Sequence, residues 1–148
     1  MLKSRQAFVY LHNQGLLVGS YSGPGAAVQE DWTQNTVWLD SLEAVEPHAL
    51  GSAIRVAWTQ CQYIPLVPYQ EVLAKHSEAV GAPNIKRLFA GVKLVSPHLK
   101  DGVITVDASK QTAPGEYDPI PSSVVKLSEQ ASDEELGAAV IQALHRCE

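Results

Sequence analysis

The side chains that could do chemistry in this 148-residue chain are five histidines, two cysteines and a set of neighbouring acids. His12, His48, His76, His98 and His145 are scattered without metal-ligand spacing, and a zinc site needs its nitrogen and sulfur donors clustered. They read as structural or solvated histidines, His145 lying near a helix C-terminus where a cation is favourable. Gly19-Ser20-Tyr21-Ser22-Gly23-Pro24-Gly25 is glycine-rich, but no Lys-Ser/Thr and no helix follow it, so it fails as a phosphate loop. Cys61 and Cys147 lack an electropositive loop or a plausible base. They read as small apolar core residues with reduced thiols, not as nucleophiles. No metal, no cofactor and no catalytic residue is expected. Of the adjacent acids, Asp133-Glu134-Glu135 belong to a helix cap, which leaves Glu30-Asp31 without a local job.

The charge layout says more. Net charge is −5, and no Lys or Arg occurs between Arg5 and Arg55, a span that holds Glu30, Asp31, Asp40, Glu43 and Glu46. Such a surface repels nucleic-acid phosphate and attracts basic partners, although an ordinary solvated acidic face would look the same. Two long loops sharpen the functional reading. Residues 19 to 35 and 107 to 123 each carry a Pro-Gly pair, then acids beside an aromatic: Glu30-Asp31-Trp32 and Glu116-Tyr117-Asp118. Long loops inside a compact domain are usually functional, and rings that anchor beside carboxylates that steer suit protein docking. Tyr21, Glu30, Asp31, Trp32, Glu116, Tyr117 and Asp118 are therefore the candidate partner-binding residues. Trp32 or Tyr117 could equally fold back over the sheet.

The elements that must position these loops are written twice. Leu50/Leu136, Gly51/Gly137, Ala53/Ala139, Ala57/Ala143 and Cys61/Cys147 coincide at a constant offset of 86, and self-similarity of this kind reports architecture. Leu136, Val140, Ala143, Leu144 and Cys147 line one face of a helix. Ser132 with Glu135 forms a capping box, and Pro47 suits the opening position of the earlier helix. Gly51 and Gly137 cost each helix about 1 kcal/mol relative to Ala, which suggests that each helix backbone approaches a sheet there. Strands are expected at 7–11, 15–18, 36–39, 85–95 (bulged near Gly91), 103–106 and 124–127, with hairpin turns at 12–14 and 100–102. Residues 68–80 read as a linker helix stopped by Gly81.

The prediction is a single α+β domain, residues 1–148. It comprises two β-β-β-α units, about 3–61 and 85–147, in a mostly antiparallel sheet with both closing helices on one face. An apolar fraction of 45% and a charged fraction of 18% fit a soluble globular chain. No apolar run is long enough for a signal peptide or membrane span, so the expected location is the cytoplasm.

Over residues 85–147, the run Lys100-Asp101-Gly102-Val103-Ile104-Thr105-Val106, then Ser132-Asp133-Glu134-Glu135-Leu136-Gly137-Ala138-Ala139, resembles the CdiI immunity proteins of bacterial contact-dependent growth inhibition systems. The resemblance implies a cytoplasmic, non-enzymatic protein. It would bind the toxic C-terminal domain of a cognate delivered effector, commonly a nuclease, and block its active site. An RNase is the expected toxin, since its cationic phosphate site would meet the acidic loops. Neither nucleic acid nor membrane is expected as a partner, and the free chain is expected to be monomeric. Two other classes stay open: a small-molecule enzyme with a pocket near Tyr10, His98 and Asp101, or an oligomerising adaptor using helix 68–80.

Overall fold

The computed structural model describes residues 4–25 and 27–148. In chain order the elements are β1 (Ser4–His12), β2 (Gly15–Ser22), β3 (Gln29–Asp31), β4 (Val37–Leu39), α1 (Pro47–Thr59), α2 (Tyr69–Val80) and α3 (Ile85–Phe89). Then come β5 (Lys93–Val95), β6 (His98–Lys100), β7 (Val103–Val106), β8 (Ser109–Ala113), β9 (Glu116–Pro119), β10 (Val125–Ser128) and α4 (Asp133–Arg146). The fold is α+β, as the patterning predicts.

The main sheet runs β10-β7-β6-β1-β2-β3, with β4 also on β2 and β5 also on β1. Every strand pairing in it is antiparallel. Three strands pair in chain order and a helix follows, first as β1-β2-β4-α1 and then as β6-β7-β10-α4. β1 joins the halves through Ser4↔Lys100, Arg5↔Leu99 and Gln6↔His98.

β1 carries the uninterrupted apolar run Ala7-Phe8-Val9-Tyr10 because both of its faces are covered, and alternate side chains point to opposite faces. Ala7 and Val9 join Leu16, Val18, Ile104 and Val106 beneath α1 and α4 in the larger core. Phe8, Tyr10 and Leu17 face the other way, into a smaller core with Leu88, Phe89 and Val92. α1 and α4 share the first face, as expected. α2 and α3 lie over the second.

The closing helices are fixed by local chemistry. Ser132 accepts from the Glu135 amide and the Glu135 carboxylate accepts from the Ser132 amide, the capping box that the sequence predicts. Arg55 on α1 reaches Asp133 at 2.8 Å and donates to the Ala131 carbonyl, so α1 also ties down the start of α4. Gly51 and Gly137 have a different reason from the one expected. A Cβ on Gly51 would lie 1.9 Å from the Asp133 carbonyl oxygen, and one on Gly137 would lie 1.8 Å from the Pro47 carbonyl oxygen. Each glycine admits the first turn of the other helix, not the sheet.

Three boundaries differ from the sequence expectation. Residues 85–95 are not one strand: the Asn84 side chain caps the Arg87 amide at 2.9 Å and turns Ile85–Phe89 into α3, which buries Leu88 and Phe89. The loop at 19–35 is shorter, because β2 extends to Ser22 and β3 pairs with it through Ser20↔Asp31. The loop at 107–123 is largely the β8–β9 hairpin, turned at Pro114-Gly115 where Gly115 takes φ +83°.

Helix propensity alone would make Gly51→Ala stabilising by about 1 kcal/mol. The backbone contact reverses the sign: the variant should lose about 1–3 kcal/mol or more. Chemical denaturation measures it, and a stabilised variant would contradict the close helix approach.

Candidate functional site

The second face of the sheet gathers the aromatic residues. Phe8 and Tyr10 on β1 and Tyr21 on β2 project from it. A Cβ at Gly19 would lie 2.2 Å from the Phe8 ring, so that glycine makes room for Phe8. Tyr69, Val72 and His76 recur at i, i+3 and i+7 along α2 and so share one helix face. His76 is sandwiched: its ring stacks on Trp32 at 5.0 Å and lies 4.5 Å from Tyr10. Trp32 in turn packs on Phe8 at 5.1 Å.

Glu30 sits among these rings. Its carboxylate accepts from the Tyr10 hydroxyl and, at 3.2 Å, from the Trp32 indole. Burial raises its pKa above the usual carboxylate range, and the two hydrogen bonds offset part of that rise. Burial first, and the Glu30 charge second, push the hydroxyls of Tyr10 and Tyr21 upward; both also push up that of Tyr117. Tyr117 hydrogen-bonds to the Val92 carbonyl at 2.9 Å, and Gln111 donates to the Phe89 and Val92 carbonyls at 3.0 and 2.9 Å. These bonds pin the β8–β9 hairpin beside α3.

The result is a cleft of about 340 Å³ between β3, α2 and the hairpin tip, lined by Tyr10, Tyr21, Glu30, Tyr69, Phe89 and Tyr117 among others. A second cavity of about 370 Å³, beneath the 62–67 connector, shares Gln29, Glu30 and Val72 with it. Two loops that are far apart in sequence thus meet at one place.

The seven candidate residues fall into two groups. Tyr21, Glu30 and Tyr117 line the cleft, while Glu116 and Asp118 alternate with Tyr117 along β9 and point to solvent. Asp31 and Trp32 are used internally. Asp31 is 3% exposed and accepts from Ser22 at 2.6 Å, the Thr33 amide at 3.0 Å and the Thr33 hydroxyl at 2.5 Å. It clamps β2 to β3, and Trp32 folds back over Phe8. Tyr69, His76 and Gln111 were not singled out by sequence reasoning. The Tyr69-Val72-His76 spacing was the available signal for the first two. Of the alternative pocket residues, Tyr10 faces the cleft. His98 pairs opposite Gln6, four β1 residues from Tyr10, a separation of about 13 Å along the strand. Among the described residues no group of three or more His, Cys, Asp or Glu could hold a metal ion.

Comparison with known proteins now decides the family. Residues 5–147 match the sequence profile described as "CdiI: CDI immunity protein". The chain belongs to the CDI immunity protein family. Two solved structures share its fold. One is a protein of unknown function from Neisseria meningitidis, at 21% identity and TM-score 0.83, covering 100% of this chain and 98% of that one. The other is a CdiA-CT/CdiI toxin and immunity complex from Yersinia pseudotuberculosis, at 21% identity and TM-score 0.81, covering 99% of both chains. No curated protein matches the sequence.

In this CdiI family member the cleft rests on a buried histidine pair. His12 Nε2 and His76 Nε2 lie 3.0 Å apart, so one ring donates and the other accepts. His76 Nδ1 is buried without a partner. Leaving a bare acceptor there is cheaper than burying an unpaired N–H, which puts the shared proton on His76 Nε2. Burial lowers His12 to about 4 and, aided by the neighbouring His12, lowers His76 to about 3.

Both histidines titrate near 6.5 when unfolded. Their contribution is complete above that pH and falls as acid protonates only the unfolded chain, down to about 4. The slope is about 1.4 kcal/mol per pH unit for each histidine. Urea denaturation between pH 6.5 and 5 should show His76→Phe losing stability less steeply than the parent, because one of the histidines with a lowered folded-state pKa is gone. Equal slopes would contradict the neutral pair.

Proposed function

We propose that this protein is the immunity partner of a contact-dependent growth inhibition toxin, and that it neutralises the toxic C-terminal domain by covering its active site. The toxin is a basic nuclease, specifically an RNase, and the encounter takes place in the cytoplasm with a free immunity protein that is monomeric. Family membership supports the class of activity. The observation that carries the docking surface is the meeting of both loops at one cleft, with Glu30 and Tyr117 in its lining and Glu116 and Asp118 exposed on either side of Tyr117 along β9.

The charge distribution supports the same reading. A nuclease must hold phosphate with cations, and a net charge of −5 favours steered association with such a surface. Tyr21 and Tyr117 offer apolar area with little side-chain entropy to lose, which suits an interface anchor. Asp31 and Trp32 serve by holding the β3 loop in shape. Covering a toxin needs no chemistry of the chain's own, and Glu30 serves here as an acceptor for a tyrosine and an indole. Among the described residues no helix is long and apolar enough to cross a membrane.

Glu116 and Asp118 are exposed and carry no fold-critical bond, so they report on docking without confounding the fold. Replacing both by Lys should weaken binding of the cognate toxin domain at least about tenfold, mainly through slower association, and flatten its salt dependence. Unchanged affinity together with unchanged salt dependence would remove the hairpin from the interface.

A further inference from the structure

The cleft has an asymmetry that a general docking surface does not require. Among the described residues Glu30 is the only formally charged one in its lining, and tyrosines from four separate elements line it with that carboxylate: Tyr10 from β1, Tyr21 from β2, Tyr69 from α2 and Tyr117 from β9. Tyr10 and Tyr117 stand 6.3 Å apart at 63°, and Phe89 lies 6.2 Å from Tyr10. Four tyrosine side chains thus converge on one carboxylate.

The chain's own hydrogen bonds do not exhaust the acceptor capacity of that anion. Tyr10 donates to Oε2 and Trp32 to Oε1, one donor for each oxygen. A carboxylate has about four lone-pair positions, so each oxygen keeps one free. Two free positions on adjacent oxygens match the paired N–H groups of a guanidinium, whose flat face also stacks on aromatic rings. An ammonium has donors enough for both oxygens but neither the planar fork nor the flat face that stacks on a ring.

The mouth is kept open. Gly115, at φ +83°, forms the hairpin tip beside Tyr69, and a Cβ there would lie 2.9 Å from the Phe89 ring and 3.2 Å from the Tyr69 hydroxyl. Tyr69 is 56% exposed at the rim, where it can close over an entering side chain. Burial and the Glu30 charge both hold the tyrosines neutral, so their rings attract a cation through their quadrupoles alone and Glu30 supplies the charge.

From this geometry we infer that the cleft is an arginine socket: one arginine side chain of the toxin enters past Tyr69, stacks among Tyr10, Tyr21 and Tyr117, and pairs bidentately with Glu30. The inference rests on the cleft being the toxin-facing site. It adds the chemical identity of the anchor and makes Glu30 and Tyr69 determinants of specificity.

The socket can be tested without the toxin, by titrating the free protein with Nα-acetyl-arginine N-methylamide and following the tyrosine rings by NMR. The expected result is saturable shifts at the four cleft tyrosines, with no such binding by the citrulline analogue and weaker binding by the lysine analogue. Glu30→Gln should reduce arginine affinity at least about tenfold, and Tyr69→Ala, at an exposed position that leaves the core intact, about three- to tenfold. Equal binding of citrulline, equal binding of lysine, or arginine affinity untouched by both variants would overturn the socket. The docking reading fails separately: if arginine binds as described while toxin affinity ignores both Glu30→Gln and Tyr69→Ala, the socket stands and the toxin docks elsewhere.

Discussion

The structure depends on how closely α1 can lie against α4. Pro47 and Asp133 open the two helices, and each opening turn fits into the space left by a glycine on the other helix. No side chain fits at either contact. This mutual approach seals one face of the sheet with Leu50, Ile54, Leu136, Val140 and Leu144. Burying side chains of this size contributes about 1.5–3 kcal/mol each, so the first face carries the main part of the core. The second face is thereby free to hold polar groups that a sole core could not tolerate.

What the second face holds is expensive. A part-buried carboxylate, two neutral histidines and several buried tyrosine hydroxyls each lose hydration, and each persists because a partner is in place. Tyr10 and Trp32 serve Glu30, His12 serves His76, and the Val92 carbonyl serves Tyr117. Polar groups held this way are pre-organised: their rotamers are set before a partner arrives, so less entropy is lost on binding. A part-buried acid in the cleft of a protein of net charge −5 also favours a cation as whatever enters. Burial has raised the energy of its charged form, and an incoming cation relieves that strain where an apolar group does not.

The sequence was most legible where local chemistry decides structure. The Ser132/Glu135 box, Pro47 and Gly81 marked helix ends that the structure keeps to within a few residues. The constant spacing from Leu50/Leu136 to Cys61/Cys147 disclosed the repeated strand-and-helix order. Legibility failed where tertiary contact overrode local pattern. Leu88-Phe89 reads as strand, yet the Asn84 cap and burial beneath α2 make it helical. The β8–β9 hairpin has no apolar alternation, because its stabilising bonds run from Gln111 and Tyr117 to the backbone near Phe89 and Val92. The acid pair Glu30-Asp31 looked like two equal surface charges. Strand alternation instead sends one into the cleft and the other into a clamp between β2 and β3.

Hydrogen–deuterium exchange of the chain alone and mixed with its cognate toxin domain tests the central claim most directly. The account predicts added protection at β3, the start of α2 and the β8–β9 hairpin, with α1 and α4 unchanged. Protection confined to the outer surfaces of α1 and α4, with those three segments exchanging as before, would contradict it.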